Sequence, residues 1–309
     1  MTPQDELFHP VVELPEPVRA ERYRRLVGLD GAKERLRQEA LLLAAPQRLA
    51  AWAAEHHGGE PAALGLFRDR APLFVLGGDV GAGKTALAES FGCDLADELG
   101  VPVWLYRLRL SARGSGLVGE MSKLVGDAFA HLQQLGSRAA GRRGPTAVYV
   151  LVVDEADALG QSRAAQQMHH EDRAGVDALL AGVDALAAAC VPVLVVMCTN
   201  RAGALDPALL RRAAATFTFG RPDDDQRRAV LAAALDGLGV GEADIAALAG
   251  ATGTRDGRPG FTYSDLTQRL VPAAVLQAFP HRPVTGGLLL DVAVGMDATP
   301  VFGDDGDHQ

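Results

Sequence analysis

A glycine-rich segment followed at once by lysine and threonine matches the pattern GxxxxGK[ST] in full. In this pattern the glycines let backbone N–H groups curl around phosphates, and the next helix points its N-terminus at them. Lys84 would place a cation at the β- and γ-phosphates, and Thr85 would offer a hydroxyl to Mg²⁺. The segment follows an apolar run and precedes a helical pattern, which favours ATP binding over the alternative of a plain glycine-rich turn. The loop residues predicted to contact nucleotide are Gly78, Asp79, Val80, Gly81, Ala82, Gly83, Lys84, Thr85 and Ala86.

Two adjacent acids follow another apolar run, Val148 to Val153. Asp154 is predicted to hold Mg²⁺ through water, and Glu155 to polarise the water that attacks the γ-phosphate. The alternative is a solvated acidic pair that caps a helix.

Further polar residues follow the later runs. Asn200, directly after Thr199, could position the attacking water, although a turn-forming asparagine is the alternative. A helix that starts at Asp206-Pro207 has a good N-cap and ends in Arg211 and Arg212. These arginines could act on the nucleotide of a neighbouring subunit, or could pair with surface acids.

The elements that must position these residues form an α/β pattern. Near-continuous apolar runs predict parallel strands buried on both faces, and the helical stretches between them indicate a wound sheet of five strands. The runs are Pro72–Gly77, Val101–Leu108, Ala147–Val153, Val191–Cys198 and Ala215–Phe219. Ligands bind beyond the carboxyl ends of such strands, where the candidate residues stand.

The chain is predicted to have four parts. An arm or linker at residues 1–25 precedes an α/β ATPase domain at 26–221, and a small helical lid domain follows at 222–285. The remaining residues, 286–309, are predicted to be a short strand or a tail.

Composition excludes some functions. The net charge of −9 argues against nucleic acid as a partner, because that binding needs clustered lysine and arginine. No apolar run approaches the length of a membrane span, and the acidic, proline-broken N-terminus does not resemble a signal peptide. With three cysteines and no CxxC spacing, we expect a cytoplasmic protein with reduced thiols.

Taken together, the motifs resemble those of the AAA+ ATPases, and among them the AAA clade in the strict sense, over roughly residues 21–280. Leu26-Val27-Gly28-Leu29 is similar to the segment that frames adenine, so Val27 and Gly28 are implied nucleotide contacts. Thr199-Asn200 is similar to sensor one, and residues 205–212 to the second region of homology. The stretch Gly260-Phe261-Thr262-Tyr263-Ser264-Asp265-Leu266 resembles the GFSGADL signature of the lid.

The resemblance is narrower still to the pachytene-checkpoint type of AAA+ remodeller. The spacing from Asp206 to Pro222 matches that type without gaps and aligns Arg212 with its arginine finger. The pattern of that type ends in Gly-Pro-Pro, which corresponds to residues 220–222 of this chain. Residues 116–126 resemble its pore loop one, with Leu117 and Val118 as the apolar pair. The bacterial members act on HORMA-domain proteins in antiphage signalling.

Three departures from the pattern stand out. The phosphate loop has Gly-Asp-Val-Gly-Ala-Gly where the clade has Gly-Pro-Pro-Gly-Thr-Gly, so Asp79 and Val80 replace prolines. The second arginine of the GRFD element is missing, and the lid signature offers Ser264 without a sensor-two arginine.

The sequence therefore predicts a homo-hexameric ATPase that remodels a protein partner, with a HORMA-domain protein as the implied substrate and ATP and Mg²⁺ as cofactors. Two alternatives stay open. One is a nucleotide-dependent scaffold with little turnover, and the other is a DNA-linked AAA+ loader, which the acidic balance disfavours.

Overall fold

The computed structural model describes residues 7–59, 61–68, 70–109, 120–156, 170–255 and 257–301. Contacts within the chain define two compact units. The first comprises Met1–Tyr23, Gly31–Gly77 and Thr85–Phe217, and the second comprises Arg24–Asp30, Gly78–Lys84 and Thr218–Gln309. Two short segments, Arg24–Asp30 and the phosphate loop, thus have most of their contacts in the second unit. A linear division of the sequence could not have shown this.

The first unit is built on a mostly parallel sheet. Its strands are β1 (Val12–Leu14), β2 (Ala71–Gly78), β3 (Val103–Arg107), β4 (Val148–Val153), β5 (Val193–Thr199) and β6 (Ala213–Phe219), the last of which ends in the second unit. The order across the sheet is β1-β3-β4-β5-β2-β6, with β3, β4, β5 and β2 parallel. β2 and β5 are buried along almost their whole length, as their apolar runs predict.

Our prediction of five strands was one short. The additional strand, β1, lies in the segment predicted to be an arm, and it pairs antiparallel with β3 at the edge of the sheet. Phe8 extends the contact through a bridge to Leu108, and its ring meets that of Tyr106 at a centroid distance of 5.0 Å. The N-terminal segment is therefore part of the sheet.

Helices alternate with these strands along the chain. In the first unit they are α1 (Pro17–Arg24), α2 (Asp30–Ala44), α3 (Pro46–His57), α4 (Ala62–Arg68), α5 (Lys84–Ala88), α6 (Gly92–Leu99), α7 (Glu120–Ala139), α8 (His170–Ala189) and α9 (Pro207–Arg212), with boundary residues of α1, α2 and α5 assigned to the second unit. α7 and α8 pack closely on the core through Phe129 and Val183. A Cβ atom at Gly182 would lie 2.3 Å from Phe129 Cγ, so this helix contact requires glycine.

The second unit has a helical core. It contains α10 (Asp224–Ala234), α11 (Glu242–Ala251), a π-helical segment (Asp265–Leu270), α12 (Val271–Ala278) and α13 (Gly286–Val294). Buried apolar residues from all five segments pack together, among them Leu231, Leu248, Leu266, Ala274 and Leu289. Residues 286–294 of the segment predicted to be a strand or tail form α13 instead, and Thr285 caps this helix through its Oγ1, which accepts a hydrogen bond from Leu288 N at 3.3 Å.

Among the helices of the described ranges, none combines the length and the apolar character that crossing a bilayer requires.

Candidate nucleotide-binding site

The phosphate loop has the backbone that its glycines permit. Gly78, Gly81 and Gly83 have φ of 141°, 69° and 92°, a region that side chains other than glycine seldom adopt. A Cβ at Gly78 would also lie 2.0 Å from the carbonyl oxygen of Phe219. The glycines are thus needed for both loop shape and close approach.

The lysine of the loop is folded over the loop itself. Lys84 Nζ donates to the carbonyl oxygens of Gly78 and Asp79 at 3.0 and 2.6 Å, and only 6% of the residue is exposed. A cation held at the phosphate loop suits the β- and γ-phosphates of a nucleotide.

The predicted metal ligands meet in the first unit. Thr85 Oγ1 donates to Asp154 Oδ1 at 3.2 Å, although the two residues are 69 positions apart. A hydroxyl and a carboxylate oxygen are hard donors of the kind Mg²⁺ prefers, so this pair fits the metal. Phosphate oxygens of the nucleotide and water would complete its coordination.

Sheet register brings the other predicted residues to the same edge. Gly77 pairs with Thr199, and Val153 pairs with Met197, so the strand ends before the phosphate loop, Asp154 and Asn200 lie within two residues of one another in register. The Asn200 side chain is half-buried at this edge.

Glu155 occupies a strained position just beyond β4. Its φ is 50°, one of two positive values among the described non-glycine residues, and its backbone N donates to Asp154 Oδ1 at 3.0 Å. Ala156 N then donates to the carbonyl oxygen of Cys198 at 2.9 Å, which fixes the turn to β5. Strain that the surroundings maintain is common in residues that touch a reacting group, and here it holds an exposed carboxylate at the end of the strand.

The two arginines after Asp206 differ in their contacts. Asp206 Oδ1 caps α9 by accepting from Ala208 N at 2.8 Å, as predicted from the sequence. Arg212 makes a two-pronged ion pair with Asp184, with Nε–Oδ1 at 2.7 Å and Nη2–Oδ2 at 3.0 Å, and this hydrogen bonding raises the pKa of Arg212. Arg211 is exposed. Because Arg212 and Asp184 are 37% and 52% exposed, the pair adds little stability and can open.

The segment predicted to frame adenine is anchored in the second unit. Gly28 has a φ of 79°, and its carbonyl oxygen accepts from Gln226 Nε2 at 2.9 Å. Val27 packs against the helical core, and a Cβ at Gly28 would lie 3.2 Å from the Tyr263 hydroxyl. Burial, together with the charges of Asp223 and Asp30, raises the pKa of Tyr263 to about 12, so its hydroxyl stays protonated.

Sequence reasoning missed several residues that support the site. Glu89, one turn after Thr85, is buried and binds Arg19, Arg22 and Arg107 at 2.7, 3.3 and 3.2 Å. It ties the helix after the phosphate loop to α1 and β3. Asp79 was predicted to contact the nucleotide, but its partner Arg221 was not identified. Gln226 could have been suspected from its place in the capping box at the start of α10.

Residues 116–119 of the predicted pore loop at 116–126 lie outside the described residues. These include its apolar pair, Leu117 and Val118.

Comparison with known proteins adds to this geometry. Residues 74–221 match the family model described as "ATPase family associated with various cellular activities (AAA)", a range that contains the phosphate loop, Asp154, Glu155, Asn200 and Arg212. CD-NTase-associated protein 6 of Escherichia coli strain MS 115-1 is 45% identical over 96% of each chain. Its counterpart in strain KTE188 is 35% identical over 97% of this chain and 99% of that protein.

Solved structures of related proteins agree with these sequence matches. A chain of the E. coli MS115-1 HORMA:CdnC:Trip13 complex superposes with a TM-score of 0.91 at 44% identity, covering 97% of this chain and 99% of that one. Rhizobiales Trip13 gives a TM-score of 0.75 at 39% identity, with 95% and 100% covered. At this identity over nearly the full length of both chains, the protein belongs to the AAA family of ATPases, within the group of bacterial Trip13 proteins and CD-NTase-associated protein 6.

Proposed function

We propose that this chain hydrolyses ATP with Mg²⁺ in a homo-hexameric ring and uses the energy to remodel a HORMA-domain protein in antiphage signalling. The observation that carries the catalytic part is the contact between Thr85 and Asp154 at 3.2 Å, with Thr85 directly after the phosphate loop in the sequence. The partner is supported by the relative found in a complex with HORMA and CdnC proteins.

Each residue has a role in this proposal. The loop from Gly78 to Lys84 binds the phosphates, and Thr85 and Asp154 would hold Mg²⁺, whose charge would offset the negative charge of the phosphates. Glu155 accepts a proton from the attacking water, and Asn200 orients that water. Val27 and Gly28 border the adenine.

The Glu155→Gln variant tests the catalytic part. It keeps the size and the turn of the residue but removes the base, so ATP should bind with wild-type affinity while turnover falls by about 10²-fold or more. The matched control is Glu55→Gln, the same change at an exposed position on α3, which should leave turnover unchanged. Wild-type turnover in the Glu155→Gln variant would refute this assignment.

The ring is tested by mixing two inactive variants. Arg212→Ala lacks the proposed finger, and Glu155→Gln lacks the base. If Arg212 acts on a neighbour's nucleotide, a mixed ring contains sites that combine an intact Glu155 with an intact Arg212. With equal amounts and random assembly, about a quarter of the sites between neighbours contain both groups, because each contact joins different surfaces of two subunits. No recovery on mixing would argue against action in trans.

The partner is tested by capture. Glu155→Gln in the presence of ATP should retain a purified bacterial HORMA-domain protein, and the wild type should release it. If neither protein retains it under any nucleotide condition, the remodelling proposal fails.

A scaffold with little turnover is the second candidate, since Asp184 holds Arg212 within its own subunit. A turnover near zero that no HORMA partner raises would favour the scaffold.

A further inference from the structure

Asp79, the acidic residue of the phosphate loop, is paired with an arginine far along the chain. Its Oδ2 lies 2.6 Å from Arg221 Nε, and each side chain is only 13% exposed. Its Oδ1 accepts a hydrogen bond from the backbone N of Val80 at 2.8 Å. The carboxylate is therefore fixed on both oxygens and is held beside the amides that would surround a phosphate.

The other guanidinium nitrogens of Arg221 join two more segments. Nη1 donates to the carbonyl oxygen of Gly260 at 2.5 Å, and Nη2 donates to that of Thr299 at 2.6 Å. Gly260 begins the lid signature, and Thr299 lies after the last helix. One side chain thus links the phosphate loop to two other parts of the second unit.

A second link runs in parallel. Ser264 N donates to the carbonyl oxygen of Gly81 at 3.1 Å, and a Cβ at Gly81 would lie 2.8 Å from Thr262 Oγ1. Thr299 returns to the same turn, because its N and Oγ1 donate to Asp265 at 3.0 and 2.7 Å. The loop, the lid signature and the C-terminal segment form one hydrogen-bonded network.

Charge is the reason that the pair matters for nucleotide binding. An unpaired carboxylate beside a phosphate site repels the anion, whereas an unpaired guanidinium attracts it. The pair makes this corner of the loop neutral. Both residues also stand where the related patterns have proline, so neither charge belongs to the common motif.

We propose that Arg221 is a positioning residue that sets nucleotide affinity by neutralising Asp79 and by anchoring the phosphate loop to the lid signature and the C-terminal segment. This inference rests on the proposed ATP binding. In this proposal the charge of Asp79 would lower nucleotide affinity if Arg221 did not neutralise it.

The proposal predicts an order of affinities that a purely structural pair would not give. Asp79→Asn leaves the cation and should bind nucleotide at least as tightly as the wild type. Arg221→Gln leaves the anion and should bind more weakly, on the order of tenfold for one unit charge in a partly buried site. The double variant should bind more tightly than Arg221→Gln, because it has no unpaired charge, and any remaining shortfall from the wild type measures the lost anchoring to Gly260 and Thr299. The gap between the single variants should shrink in high salt.

The test is equilibrium binding of a fluorescent ADP analogue to the full chain at low and high salt, for the wild type, both single variants and the double variant. Arg228→Gln is the control, because its ion pair with Asp225 on α10 is 54% and 92% exposed. Melting temperatures report whether each variant folds. If Arg221→Gln does not fold, Asp79→Asn still decides, since affinity at or above that of the wild type supports the proposal.

Three results would overturn the proposal: an Arg221→Gln affinity within about twofold of wild type, a double variant that binds as weakly as Arg221→Gln, or threefold weaker binding by Asp79→Asn. If the wild type itself fails to bind the ADP analogue, the proposed function falls as well. The two failures are therefore distinguishable.

Discussion

Asp265 offers the sharpest test of how the lid signature is held together. The residue is fully buried, and its carboxylate accepts hydrogen bonds from the backbone N of Thr262 and of Thr299, from the Thr299 hydroxyl, and from Arg269. Burial alone would raise the pKa of Asp265, but these donors outweigh it and lower the pKa to about 2 from 3.8. The charged form is thus the one that the fold stabilises.

The magnitude follows from this pKa. A carboxyl group whose pKa falls from 3.8 to about 2 on folding contributes about 2.5 kcal/mol at neutral pH, at about 1.4 kcal/mol per tenfold change in proton affinity. Because the folded pKa is the lower one, this stability is fully present above about pH 5 and is lost progressively as the pH falls through 3.8 toward about 2. Asp265→Asn should therefore destabilise the protein by at least this amount at pH 7 and by less at pH 3.

Calorimetric melting at pH 7 and pH 3 measures the effect. The control is Asp291→Asn, the same change at an exposed position on α13, which should alter the melting temperature little at either pH. An equal loss for Asp265→Asn at both pH values would refute the reasoning, because the loss would then not depend on the charge.

Two further predictions concern the first unit. Gly182→Ala places a Cβ 2.3 Å from the Phe129 ring and should lower the free energy of unfolding by about 1–3 kcal/mol, whereas Gly126→Ala on α7 meets no atom within 4 Å and should stabilise by up to about 1 kcal/mol. Denaturant unfolding of both variants measures this, and equal effects would contradict the packing. Asp184→Asn frees Arg212 from its exposed ion pair, so steady-state ATP turnover should stay level or rise while the melting temperature changes little. A turnover as low as that of Arg212→Ala would show instead that Asp184 positions the arginine.

The strands that carry the site could be predicted because they are buried and continuous. The runs before Gly78, Asp154 and Asn200 were found within about two residues of their observed ends, since both faces of a central parallel strand must be apolar. The candidate site residues could then be predicted from the rule that ligands bind at the carboxyl ends of parallel strands.

What could not be predicted depends on long-range or ambiguous signals. β1 has three residues, and its strand character comes from pairing with β3 about ninety positions later. α13 was missed because the runs Leu288–Leu290 and Val292–Val294 suit a strand as well as a buried helix. The partner of Asp79 lies 142 positions away, and no local pattern points to it.

The pairing of β1 has a consequence for how the protein is made. Val12 pairs with Leu105, so at a synthesis rate of about 5–20 residues per second the N-terminal segment waits roughly 5–20 s for its partner strand to be synthesised. During that time its edge is open to other chains. The segment carries Glu13 between its two apolar residues and prolines at positions 10, 15 and 17, and charged or proline-bearing strands resist such pairing. The features that hid β1 in the sequence would thus also protect the growing chain from aggregation on the ribosome.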